Sequence, residues 1–136
     1  MIHAAVFLLS FSSLIFEVLL TRIFSIGQWN HLSFMVISIA LFGFAASGIL
    51  LSILDARTKG WRERLSATGT VRILVTFYSL SAITSFLVLN HMPLDYFRLP
   101  IEPAQIIYLL IAYVLLSIPF FFTGLIVSIA YSFIPE

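Results

Sequence analysis

A carboxylate at position 17 is the group in this chain whose placement most needs a chemical explanation. Glu17 interrupts an apolar run from Ala4 to Ile26, which is long enough to cross a bilayer as a helix rising 1.5 Å per residue. An acid near the bilayer centre costs at least ~2.5–3.5 kcal/mol on the most lenient scale. Such residues persist where they face a bundle interior, meet a partner, or handle protons and ions. Ser10, Ser13 and Thr21 recur at three- and four-residue spacing around Glu17 and so share its helix face. Their hydroxyls can hydrogen-bond an acid. Arg22 lies about 140° around the helix from Glu17, a poor position for an intrahelical ion pair. It is expected to reach the membrane interface or to pair with another helix. Glu17, Ser13, Thr21 and Arg22 are therefore the candidate site. It is either a structural acid that fixes helix docking or a proton- or cation-binding centre, and the residues alone weigh the two equally.

Other chemistries find less support. Gln28, Asn30, His31, Asn90 and His91 are expected at one membrane border, with Asp95 nearby. Two histidines and an aspartate are metal-ligand types, but helix-end hydrogen bonding explains them more simply, and no metal is assigned. The six glycines, at 27, 43, 48, 60, 69 and 124, form no phosphate or dinucleotide loop, so no cofactor is expected. No serine and histidine stand with an acid in a recognisable catalytic motif. Cysteine is absent, which removes thiol chemistry. A net charge of +1 without a dense basic run gives no reason to expect a nucleic-acid partner.

The elements that must hold Glu17 follow from composition. Hydrophobic residues make up 61% of the chain and charged residues 10%, with a mean hydropathy of +1.12. These values describe an all-α integral membrane protein whose first partner is the lipid bilayer. Hydropathy predicts four transmembrane helices in one domain spanning residues 1–136, at about 4–26, 31–54, 71–89 and 104–133. Pro103 suits a helix start, and Pro119 predicts a kink within the long fourth span. The first span lacks a basic leader and carries Glu17, so it does not read as a signal peptide. Gly43 and Ser47 on the second helix, and Gly124 and Ser128 on the fourth, are small residues one turn apart that let backbones approach closely. Helix packing is the expected role of all four. Glu17 is expected to point inward, toward Gly43 and Ser47 or toward Thr123 and Ser128, because an acid facing lipid would have no partners.

Phe11-Ser12-Ser13-Leu14-Ile15-Phe16-Glu17-Val18-Leu19-Leu20-Thr21-Arg22 resembles the first membrane helix of membrane-bound spermidine synthase-like proteins. That helix typically has a small residue, Ala-Leu-Ile-Tyr-Glu-Val, and then Thr-Arg. The likeness continues through Leu32-Ser33-Phe34, through Leu41-Phe42-Gly43-Phe44-Ala45-Ala46-Ser47-Gly48, and through Pro119-Phe120-Phe121-Phe122-Thr123-Gly124. Phe16 stands where the family has Tyr. Such proteins couple a multi-pass membrane region to a cytosolic aminopropyltransferase-like domain of Rossmann type. The resemblance implies that this chain is the membrane portion of a longer parent, with further helices or a transferase domain of that parent as partners. It implies no catalytic residue in this chain, an anchoring role as a minimum, and room for polyamine or cation transport. Two other readings compete. One is a small proton-coupled cation exporter using Glu17, similar in architecture to small multidrug resistance transporters. The other is a non-catalytic assembly subunit.

Charge distribution predicts the orientation. Arg57, Lys59, Arg62, Arg64 and Arg72 cluster in or beside the second connection, whereas the third holds only Arg98 against Asp95 and Glu102. Basic residues near helix ends resist translocation, so the second connection and both termini are expected to be cytoplasmic, in the inner membrane of the cell. Reporter fusions at Gly60 and at Leu94 should report opposite faces, with Gly60 inside. Both on one face, or Gly60 outside, would overturn this topology.

Overall fold

The computed structural model describes residues 2–28, 31–58, 60, 67–92 and 103–132. These form four helices: α1 (Ile2–Gln28), α2 (His31–Arg57), α3 (Ala67–His91) and α4 (Pro103–Ser132). Each is long and apolar enough to cross a membrane, which makes the chain a multi-pass membrane protein. The helices extend past most of the hydropathy boundaries, most clearly in α3, which begins four residues before Val71 and ends two after Leu89. A helix holds its own hydrogen bonds and does not stop where side chains turn polar. For the same reason α1 continues through Gly27 and Gln28, past the expected end at Ile26. After α2, the Thr58 N–H donates to the Leu54 carbonyl at 2.9 Å, and Gly60 takes the left-handed conformation at φ 74°.

Packing shows that the helices alternate in direction. Leu20 and Phe24, late in α1, meet Val36 and Ile39, early in α2, around Leu116 and Phe120 of α4. Leu51, late in α2, meets Leu125 and Ile129, late in α4. Leu9, early in α1, packs with Tyr78 of α3 and Ile126 of α4. One end of the bundle therefore gathers the start of α1, the end of α2, the start of α3 and the end of α4. It also carries Arg57 and Arg72.

The fourth helix is the hub. Half of its most apolar window is buried inside the bundle, against 17% for α1 and 11% for α3. The outer helices accordingly leave large side chains such as Phe7, Leu80 and Phe86 exposed, which suits hydrocarbon surroundings. Leu116 and Phe120 of α4 are fully buried, and Phe120 touches Phe16 and Phe44 with ring centroids 5.8 and 6.2 Å away.

The helix assignment of α4 runs unbroken through Pro119. Proline has no N–H, so the carbonyl four residues earlier, that of Leu115, loses its helical donor. Ser85 of α3 takes its place: its hydroxyl donates to the Leu115 carbonyl at 2.9 Å, and Ser85 is only 1% exposed. The proline thus creates an acceptor that a neighbouring helix fills, as hydrocarbon requires of every backbone group. Ser85→Ala should destabilise the bundle by about 1–2 kcal/mol, the effect of leaving a buried carbonyl unpartnered. In a Pro119→Ala background the loss should shrink, because residue 119 then has an N–H for Leu115. Reversible unfolding of the four proteins in micelles measures this cycle; equal losses in both backgrounds would contradict the assignment.

Candidate functional site

Side chains from three helices assemble around Glu17. On α1, Ser10, Ser13 and Glu17 form one stripe, on α2 Phe44, Ser47 and Gly48 face it, and Thr123, Gly124, Val127 and Ser128 of α4 complete the wall. Between them lies a partly open crevice of about 420 Å³. Its space comes from small residues on α2 and α4, where larger ones would fill the gap before Glu17.

The two packing glycines have different neighbours. A Cβ at Gly43 would lie 2.6 Å from the Ser117 carbonyl oxygen and 2.7 Å from Phe120 Cβ, so the α2 backbone rests directly on α4. A Cβ at Gly124 would run into the Ser47 hydroxyl, which places Ser47 of α2 over the α4 backbone. Gly48, one residue on, has nothing within 4 Å of such a Cβ and marks open space at the crevice edge.

Hydrogen bonding makes the lining rich in acceptors. The Ser47 hydroxyl donates to the Phe44 carbonyl at 2.7 Å and that of Thr123 to the Pro119 carbonyl at 3.0 Å. Each oxygen has then spent its only proton within its own helix and keeps lone pairs for other donors. Ser13 is 4% exposed. No described residue hydrogen-bonds its hydroxyl, and since no enclosed side-chain oxygen lacks a partner among the described residues, that hydroxyl opens into the crevice. Glu17 is half-buried, and its carboxylate has no hydrogen bond or ion pair with a described residue.

Of the candidate residues, Ser13, Glu17, Ser47, Gly124 and Ser128 come together here. Gly43 does not; it lies at the α2–α4 contact. Ser128, expected to pack helices, borders the space. The Thr21 hydroxyl donates at 2.8 Å to the backbone carbonyl of Glu17, not to its carboxylate. Arg22 is exposed and is not part of the wall. At the opposite membrane border, His91 Nδ1 hydrogen-bonds the Leu87 carbonyl at 2.8 Å, which is helix-end bonding. The side chains of Gln28 and His31, with all of Asn30 and Asp95, lie outside the described residues. Sequence reading missed the hydrogen bond of 3.2 Å between the Ser12 and Tyr78 hydroxyls, which ties α1 to α3. Its one sequence signal was a tyrosine in the middle of a membrane span.

The wall holds a carboxylate and hydroxyls and no basic, histidine or thiol side chain. It is equipped to hold a positive charge. No family model, curated protein or solved structure matches the chain.

The contrast between glycines yields a test. Gly43→Ala should destabilise the bundle by about 1–3 kcal/mol through overpacking. Gly48→Ala should be neutral or gain up to about 1 kcal/mol from helix propensity. Reversible unfolding in micelles reads both; an equal response would show that the α2–α4 approach is not set at Gly43.

Proposed function

We propose that the chain is a multi-pass membrane module whose Glu17 crevice binds an organic cation of the alkylammonium class, with a polyamine as the ligand to test first. One observation carries this reading: a half-buried carboxylate with no counter-charge among the described residues faces a space whose other polar side-chain groups are hydroxyl oxygens. An ammonium group supplies both the missing charge and hydrogen-bond donors. The rest of the wall is apolar, with Leu14, Phe44 and Val127, and suits the methylene stem of such a ligand better than a bare metal ion. The resemblance of the first, second and fourth helices to the membrane region of spermidine synthase-like proteins points to the same ligand class. In this reading the transferase chemistry belongs to another domain of the parent protein. The module anchors that domain at the inner membrane, with both termini cytoplasmic, and moves or senses the polyamine.

Equilibrium binding of radiolabelled spermidine to the chain in proteoliposomes tests the site. Glu17→Gln should lower affinity at least tenfold, equivalent to about 1.4 kcal/mol, while Glu17→Asp retains part of it. Glu17→Gln should fold normally, since an amide can occupy the place of the acid among hydroxyls. Unchanged affinity in Glu17→Gln, or no saturable binding to the native chain, would reduce Glu17 to a packing role. Dye or proton flux that depends on Glu17 without spermidine binding would favour the exporter instead.

A further inference from the structure

The Glu17 crevice does not end at Ser128. A second groove, of about 510 Å³, shares Gly48, Val127 and Ser128 with it and continues past Leu51 and Ser52 to Asp55 and Tyr131. The shared residues make the two spaces neighbours with a common wall. On α2 the stripe runs Phe44, Gly48, Ser52, Asp55, and on α4 Gly124, Ser128, Tyr131, each at three- or four-residue steps. From Ser47 to Asp55 the path covers about 12 Å along the axis, most of one half of a ~30 Å hydrocarbon core.

The opposite direction is closed. One helical turn beyond Glu17, the fully buried Leu20, Val36, Ile39, Leu116 and Phe120 form the largest apolar cluster of the bundle. Serines line the crevice on one side of Glu17, and a packed hydrocarbon cluster closes the other. Ser13, nine-tenths and more buried with its hydroxyl unpartnered, marks the inner end of the polar side. Asp55 and Tyr131 lie at the mouth.

We infer that these two spaces form a single water-filled half-path through which small cations reach Glu17 from one membrane face only, the end of the bundle where α2 and α4 finish. Gly48 borders both spaces, and a long side chain there would project into open space between them. The path rests on the cation-site reading for its purpose but not for its existence, and the two are separable by experiment.

The absence of native cysteine allows single-cysteine variants of the full chain. Ser52→Cys at the mouth, Ser13→Cys in the crevice and Asn90→Cys at the far end are to be labelled in right-side-out and inverted membrane vesicles. The reagents are a membrane-impermeant trimethylammonium methanethiosulfonate and its sulfonate counterpart. Ser13→Cys should react in the same vesicles as Ser52→Cys and not in those where Asn90→Cys reacts. Adding Gly48→Leu should slow labelling at Ser13→Cys at least tenfold and leave Ser52→Cys unchanged, the latter serving as the check that the protein remains folded. Ser128→Cys replaces Ser13→Cys if the latter fails to fold. Labelling from the far face, no labelling of either crevice cysteine, or indifference to Gly48→Leu would each overturn the half-path. The cationic reagent should outpace the anionic one at Ser13→Cys, and Glu17→Gln should remove that preference. One-sided labelling with no Glu17-dependent preference would leave the path standing and sink the cation site.

Discussion

The Leu115 carbonyl is the point on which the rest of the bundle turns. Pro119 deprives it of its helical donor, and within hydrocarbon an unpartnered carbonyl is not tolerated. Ser85 supplies the bond from α3, so the position where α4 is weakest is also the position where a second helix is bound to it. The same stretch of α4 receives α2. The backbone of Gly43 rests on Ser117 and Phe120, on the turns that flank Pro119. Proline, serine and glycine here form one device, in which a broken helical ladder and a close helix approach fix the hub against two neighbours. The apolar cluster around Leu116 and Phe120 surrounds this device and excludes lipid and water from it.

Away from that contact the helices need not touch so closely. Toward the end where α2 and α4 finish, Gly48, Gly124 and Ser128 keep side-chain volume low, and a crevice results. Tight packing near Gly43 and open space near Gly48 are two outcomes of the same residue type one to two turns apart. The difference is what faces each glycine: α4 backbone in the first case and nothing in the second. Glu17 occupies the inner end of the opening, where its carboxylate can be hydrated or bound by a cation.

The carboxylate of the crevice is not among the groups that hold the bundle together. Glu17 makes no hydrogen bond on which the fold depends, whereas Ser85, Gly43 and Phe120 hold the bundle and do not line the crevice. A polar cavity closed on one side by packed hydrocarbon is what the proposed one-sided cation path requires. The seal and the core are the same side chains.

Much of this was legible in the residues. Hydropathy determined four membrane helices, because burial in lipid rewards length and apolarity, which are properties of each segment alone. The three- and four-residue spacing of Ser10, Ser13 and Glu17 determined a polar face, because helical period needs no tertiary information. The small residues at 43, 47, 124 and 128 signalled close approach. What those residues would meet was not legible. That Gly43 lies on Ser117 and Phe120, that Thr21 turns back to its own helix, that Ser85 reaches Leu115, and that Asp55 extends the Glu17 crevice all depend on how α2 and α3 are rotated and shifted along α4. Rotation and axial shift are decided by the fit of several side chains at once, and lipid is too uniform a solvent to select among them. The sequence by itself determined the elements and their polar faces; only the tertiary structure decided which faces meet and where space remains between them.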